Sequence, residues 1–363
     1  MEHRTKRVQI NMLDGPVFSA MVRFAIPVFF SSIFQQLYNT MDTVIVGHTL
    51  GETALAAIGS ASPVYDLLMG FALGMGNGLS IVTARSYGSK DENTLKKSVA
   101  GSLVIGLILT AVLTLITQVG LLPFLKLLKT PEEILEESYR YSSCITLFMG
   151  VTFAYNLGSG ILRAVGNSLM PLVFLIVSSV LNIGLDLWFI TGLGMGVRGA
   201  AVATVLAQGV SVILCVLYIL KSVRILIPSK HHFQPDKKLY LEMLEQGGSM
   251  GLMNCLVCAG TAILQTGIND LGYLVIAGHT SARKLFSFFL MPLTAMVASV
   301  NTFVSQNFGA GKMNRIRKAM KAAYLYNAIV TAVLVLLVNI FAPYLIRFIS
   351  GSEEAVIIEN GTM

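Results

Sequence analysis

Two aspartates sit where aspartate is expensive. Asp42 lies in FFSSIFQQLYNTMDTVIVG and Asp186 in LVFLIVSSVLNIGLDLWFI, both otherwise apolar runs. An ionised acid at the centre of a membrane helix costs roughly 2.5–3.5 kcal/mol on insertion scales, so a carboxylate there points to function. Polar side chains recur near each at helical spacing. Gln35, Tyr38 or Asn39, and Asp42 make one stripe, Asn182 and Asp186 a second, and Thr204 and Gln208 a third. Polar groups in hydrocarbon must find partners, so the three stripes are expected to face one another. Two carboxylates, an amide oxygen, a hydroxyl and a phenol form an all-oxygen set suited to a hard cation such as sodium. The same two carboxylates, buried and close, would repel, so that one would hold a proton near neutral pH. Spacing does not choose between a sodium site and a protonation switch. Asp66, in SPVYDLLM, is a third acid within an apolar run. It would either line a cavity that attracts cations or pair with a polar neighbour.

The elements that must carry these residues are membrane helices. The 363 residues are 54% hydrophobic and 12% charged, with a mean hydropathy of +0.71; a soluble domain carries about 25% charged residues. Spans need about 20 mostly apolar residues. Nine such runs are expected, near 17–46, 54–83, 97–120, 136–158, 169–190, 197–220, 246–268, 283–305 and 322–346. The fold class is therefore an all-α polytopic membrane protein. The net charge of +7 does not argue for nucleic acid, because Lys and Arg gather in alternate loops. They include Arg4, Lys6 and Arg7, then Arg85 to Lys97, Lys221 to Lys238, and Lys312 to Lys321. The positive-inside rule places these loops and the N-terminus in the cytoplasm, in a multi-pass protein of the plasma membrane. The first run is too long for a signal-peptide core and lacks an obvious small-residue cleavage site, so it reads as a retained helix. Cys255-x-x-Cys258 has no second Cys or His pair beside it and reads as small packing residues. His48, His279 and the pair His231–His232 give no metal-ligand pattern, and no cofactor is expected.

The chain repeats itself. Ala84-Arg-Ser-Tyr-Gly-Ser-Lys90 is followed by a basic helix start, an apolar run, Leu-Pro-Phe, and Thr130-Pro-Glu-Glu. Ser305-Gln-Asn-Phe-Gly-Ala-Gly311 is followed by the same order ending in Ser352-Glu-Glu. Gly88 matches Gly309 and Glu132 matches Glu353 at one common offset. Parallel repeats of this kind build many transporters, with substrate held between or inside the halves. The expected organisation is a six-helix lobe over 1–220, a linker over 221–240, and a second lobe over 241–363. That second lobe holds about three helices, so the chain is expected to stop short of a twelve-helix, two-repeat architecture.

The order of motifs resembles the multidrug and toxic compound extrusion (MATE) family of the multidrug/oligosaccharidyl-lipid/polysaccharide exporter superfamily. The carrying residues are Pro27 with Gln35-Gln-Leu-Tyr38-Asn39-Thr-Met-Asp42, Ala57-Ile-Gly-Ser-Ala-Ser-Pro63, and Leu162-Arg-Ala-Val-Gly166-Asn-Ser-Leu-Met-Pro171. Leu181-Asn182-Ile-Gly-Leu-Asp186, Gly194-Met-Gly196-Val-Arg-Gly199, and Ser305-Gln-Asn-Phe-Gly309 complete it. The resemblance implies an antiporter that exports organic cations, driven by inward flow of protons or sodium. It also implies the branch whose cation site lies in the N-terminal lobe. Carried over onto this chain, Asp42, Asn182, Asp186 and Thr204 are the expected cation-site residues, with Tyr38 beside Asp42. Gln35, Asn39, Asp66 and Gln208 are the expected cavity residues. Small organic cations and the bilayer are the expected partners, and a monomer is the expected state.

Pro27 removes a backbone hydrogen bond midway along the first run and should allow a bend there. No Asp or Glu lies mid-run in the last three spans, so coupling is expected to rest on the first lobe. The rival within the superfamily is a flippase for lipid-linked precursors or polysaccharide. That function calls for a cavity rich in Arg and Lys, whereas the mid-run charges singled out here are acidic. A membrane-embedded enzyme would need a compact catalytic constellation, and none stands out. A non-transporting remnant is the remaining alternative.

Overall fold

In hydrocarbon every backbone N–H and C=O must be satisfied within the protein, which leaves helices as the solution for long apolar runs. The computed structural model describes residues 9–127, 130–269 and 273–350. They form ten α-helices and no strand: α1 Val17–Leu50, α2 Glu52–Gly88, α3 Glu92–Leu127, α4 Glu132–Leu147, α5 Met149–Ala164, α6 Leu169–Leu187, α7 Val197–Ser222, α8 Lys237–Asn269, α9 Tyr273–Gly309 and α10 Met313–Ser350. A single π-helical turn, Trp188–Gly192, extends α6.

Seven described helices are long and apolar enough to span a membrane, and an eighth span is the bent pair α4–α5. The remaining expected run, 246–268, falls in α8. At 33 residues this helix is about 50 Å long, but Gln246, Asn254, Thr261 and several glycines dilute its apolar character.

The fourth expected run is broken. α4 and α5 meet at an angle of 44°, with Phe148 between them at φ −104°, ψ 17°. Side chains capture the carbonyls just before the break. Thr146 Oγ1 donates to the Ser142 carbonyl at 2.6 Å, and Gln118 Nε2 donates to the Ser143 carbonyl at 2.9 Å. Such competing bonds loosen a helical ladder and bend it. Pro27 leaves α1 as one helix from Val17 to Leu50, and the Ser31 hydroxyl donates to the Pro27 carbonyl at 2.9 Å.

α1 is shared between two apolar clusters. Its first half packs Met21, Phe24 and Val28 against Met296, Phe303 and Ala319 of α9 and α10. Its last turns pack Ile45 and Val46 against Ile190, Val197 and Ala200. The stretch 221–240 is less of a free linker than its composition suggests. Val223 and Leu226 are buried, and α8 already begins at Lys237.

The end of the bundle that carries the basic loops is sealed by backbone contact. α2 lies along α8, and a Cβ added at Gly74 would stand 2.5 Å from the Met250 carbonyl oxygen. At Gly78 it would collide with the Gln246 carbonyl. The ends of α2 and α9 meet reciprocally: Gly88 abuts the Gln306 carbonyl, and Gly309 abuts the Arg85 carbonyl. Gly88 and Gly309, like Arg85 and Gln306, are equivalent positions of the sequence repeat, so this contact is self-complementary in the manner of a two-fold interface.

Polar bonds brace the same end. Arg85 makes a two-pronged ion pair with Glu242, its Nη2 donating to Oε2 at 2.6 Å. Lys97 meets Asp236 at 3.3 Å. The segment before α1 acts as a strap. Ile10 N–H donates to the Gly166 carbonyl at 2.9 Å. The Met12 carbonyl accepts from Asn307 Nδ2 at 3.0 Å and Arg315 Nη2 at 3.1 Å. Lys312 Nζ donates to Asp14 Oδ1 at 2.9 Å, and this bond, aided by Asn11, holds the Asp14 carboxyl below its usual range.

Overpacking a tight contact costs typically about 1–3 kcal/mol. Gly88→Val and Gly309→Val should each lower the thermal midpoint of the detergent-solubilised protein. The double variant should lose markedly less than the sum of the two, because both side chains enter one seam. A fully additive loss would show that the contact is not shared.

A candidate cation and substrate site

The site is assembled from five helices, α1, α2, α4, α6 and α7. α1 packs against α6, and α6 against α7, so the stripes that helical spacing defined come together. Asp186 has the Asp42 carboxyl and the Asn182 amide as immediate electrostatic neighbours. Tyr38 has Thr204 beside its hydroxyl and Asp42 and Asp186 within reach. Asp42, Asp186, Asn182, Tyr38 and Thr204 therefore form one cluster.

Two tyrosines join them that spacing did not single out. Tyr141 of α4 faces Asp42, Asp186, Tyr38 and Tyr65, and Tyr65 of α2 faces Asp42 and Asp66. Tyr65 adjoins Asp66 in sequence, and that adjacency was a usable signal. Tyr141 lies in the run that breaks at Phe148, where a continuous-helix reading misplaces its face.

Burial divides the cluster. Asn182 and Asp186 are 0% exposed and Tyr38 is 7% exposed. Asp42 is only half-buried. The Tyr38 hydroxyl, Asp42 Oδ1, both Asp186 oxygens and both amide atoms of Asn182 are buried without a hydrogen-bond partner of good geometry among the described residues. Native interiors satisfy nearly all such groups. A concentration of them at one point, with two carboxylates among them, fits a site completed by a proton or a small hard cation. The oxygen donors present, two carboxylates, an amide, a phenol and the Thr204 hydroxyl, suit sodium chemically. Among the described residues no three His, Cys, Asp or Glu side chains converge as a transition-metal site would require.

Asp42 connects this cluster to a cavity of about 760 Å³. Gln35, Tyr38, Asn39, Asp42, Asp66, Thr204 and Gln208 all line it. Asn182 and Asp186 do not; they stand behind its wall. Gln208 is engaged by the Thr152 hydroxyl, and Asn156 Nδ2 donates to the Thr152 carbonyl at 2.8 Å, so this polar patch is held in place. The other side of the cavity comes from α8 and α9, through Cys258, Ala259, Thr261 and Arg283. The thiols of Cys255 and Cys258 approach the α2 carbonyls of Leu67 and Asp66 at 3.8 and 3.7 Å. Pro27 lies outside the cavity, in the half of α1 that packs against α9. A second cavity, of about 500 Å³ between α3, α5 and α7, has no charged residue in its lining.

A bundle of membrane helices around a polar-lined cavity, with buried carboxylates beside it, defines a membrane transporter. The chain belongs to the MatE family, whose family model matches residues 27–188 and 250–361. It is 28% identical over 351 residues to the probable multidrug resistance protein YoeA of Bacillus subtilis, covering 95% of this chain and 76% of that one. The multidrug export protein MepA of Staphylococcus saprophyticus is 24% identical over 340 residues, covering 94% and 75%. A crystal structure of a MATE protein in a bent conformation superposes with a TM-score of 0.87 at 26% identity, covering 97% of this chain and 79% of that chain. A transporter of the wider superfamily from Pyrococcus furiosus, described as having a binding pocket of reversed polarity, gives 0.85 at 26% identity, covering 98% and 79%.

A ligand that binds only the folded protein raises its stability by RT ln(1 + [L]/Kd). Replacing choline with sodium at fixed ionic strength, or lowering the pH, should therefore raise the thermal midpoint of the purified protein. Asp186→Asn and Asn182→Leu should each remove that response while leaving the protein folded. An undiminished response in both variants would show that neither residue takes part in the site.

Proposed function

We propose that this protein is a secondary antiporter that exports organic cations in exchange for protons or sodium by alternating access. The observation that carries this reading is the set of orphaned buried oxygens on Asp42, Asn182 and Asp186, placed next to a cavity that Asp42 also lines. The cavity suits amphipathic cations because Asp42 and Asp66 supply negative charge while Leu73, Phe124 and Ile145 supply apolar wall. Curated relatives are named as multidrug resistance and multidrug export proteins, which supports the same reading.

The orientation follows from the basic loops. The protein sits in the plasma membrane with its N-terminus and the sealed end in the cytoplasm. The cavity then belongs to an outward-facing state, reached from the side opposite the α2–α8 seam. A first lobe over 1–220 holds the coupling residues, a linker occupies 221–240, and the second lobe over 241–363 supplies the other cavity wall. The protein works as a monomer.

Coupling runs through α1. A cation arriving from outside reaches Asp42 first and is completed by Asp186, Asn182, Thr204 and Tyr38. Neutralising the pair removes the attraction that holds a cationic substrate near Asp42, so the substrate leaves outward. The same neutralisation changes how the far half of α1 packs, and Pro27 lets that half move relative to the half fixed on α9 and α10. One charge moving down a 100 mV potential supplies about 2.3 kcal/mol. The flippase alternative is disfavoured by the acids that line the cavity.

Asp42→Asn and Asp186→Asn should each abolish ion-dependent efflux of a cationic dye from loaded cells or vesicles, with normal membrane insertion. Wild-type efflux rates in both variants would end this reading.

A further inference from the structure

The charges in the cavity are divided by element. Asp42 and Asp66 come from α1 and α2, whereas Arg283 comes from α9. Arg283 is the second residue of the apolar stretch Ala282–Gly309, about ten residues into α9. Its charge acts on Asp66, so base and acid share one field within one cavity. A guanidinium offers a planar fork of donors matched to carboxylate or phosphate. A ligand carrying only positive charge meets attraction on the α1–α2 side and repulsion from Arg283. A ligand carrying a cation and an anion can satisfy both sides.

We infer that Arg283 is a specificity-determining residue that makes this cavity favour amphoteric molecules, with the cationic end taken by Asp42 and Asp66 and the anionic end by Arg283. The inference rests on the export reading and narrows its substrate class. Arg283 discriminates against permanent monocations of the same size and shape. The amphoteric substrate is bound across the boundary between α1–α2 and α9, so binding reports on the relative position of the two sides.

Two dyes of one scaffold test this. Rhodamine B is zwitterionic at neutral pH, and its methyl ester is a monocation. Their binding to the purified full chain can be measured by fluorescence anisotropy. Wild type should prefer rhodamine B. Arg283→Gln should lower the ratio of rhodamine B affinity to ester affinity by roughly tenfold, about the effect of one charge-assisted bond. Arg283→Lys should keep most of the preference, and Asp66→Asn should weaken both dyes with little change in their ratio. An unchanged ratio in Arg283→Gln protein that still binds both dyes overturns the role of Arg283 and leaves the export reading standing. Failure of wild type to bind either dye overturns both together. If the ratio shifts as expected while Asp42→Asn still supports efflux, the coupling scheme falls and the role of Arg283 stands.

Discussion

Two carboxylates buried side by side among apolar helices are the constraint on which the rest of the site depends. Asp42 and Asp186 cannot both carry charge there without a counter-charge, and among the described residues their immediate neighbours carry none. The nearby groups are an amide, a hydroxyl and phenols. These are neutral groups that can position a proton or a cation without replacing it. The division of burial gives the pair a direction. Asp42 meets the cavity, and Asp186 lies behind it, fully enclosed.

What makes such a site more than a local trap is the reach of α1. The last turns of this helix pack on α7 and on the end of α6, and its first half packs on α9 and α10. A change in charge at Asp42 acts on a helix that belongs to both sides of the cavity. Pro27 lies within the first contact zone, which continues to Val28 and Phe29. The seam at the basic end provides the other condition for a switch. Helices in contact through glycine and carbonyl backbone have few intermediate fits, since close-packed surfaces do not deform continuously.

Much of the site was legible because helical spacing is a strong rule. The i, i+4 stripes on α1, α6 and α7 required no tertiary knowledge, and the cost of acids in hydrocarbon made Asp42 and Asp186 stand out. Gly88 and Gly309 were legible as a repeat, and the structure shows why the repeat retains glycine there: each faces a carbonyl of the other copy. The remainder was hidden for identifiable reasons. Whether Asp186 lines the cavity or stands behind its wall depends on helix rotation, which a stripe does not fix. Tyr141 was obscured by a break that Thr146 and Gln118 create through bonds invisible to hydropathy. Arg283 passed unnoticed because it stood at the edge of an apolar run, where an arginine ordinarily reaches the interface. α9 in fact begins ten residues earlier, at Tyr273, and carries Arg283 to the cavity.

The repeat also explains how one cavity came to hold opposite charges. α2 and α9 are equivalent helices, and they meet at their ends through Gly88 and Gly309. Counted back from those glycines, Arg283 stands about one helical turn farther along α9 than Asp66 stands along α2. Residues one turn apart share a helix face. The two copies thus present nearly the same face to the cavity, one with an acid and the other with a base. A symmetric pair of acids would have repelled across the cavity and favoured its opening whatever was bound. An acid opposed by a base attracts instead, so the cavity tends to draw together. A ligand able to occupy both charges substitutes for that attraction, and a cation that engages only Asp66 removes it. The asymmetry between the copies therefore sets an acid against a base across the cavity, while the carboxylate pair Asp42 and Asp186 stands on α1 and α6.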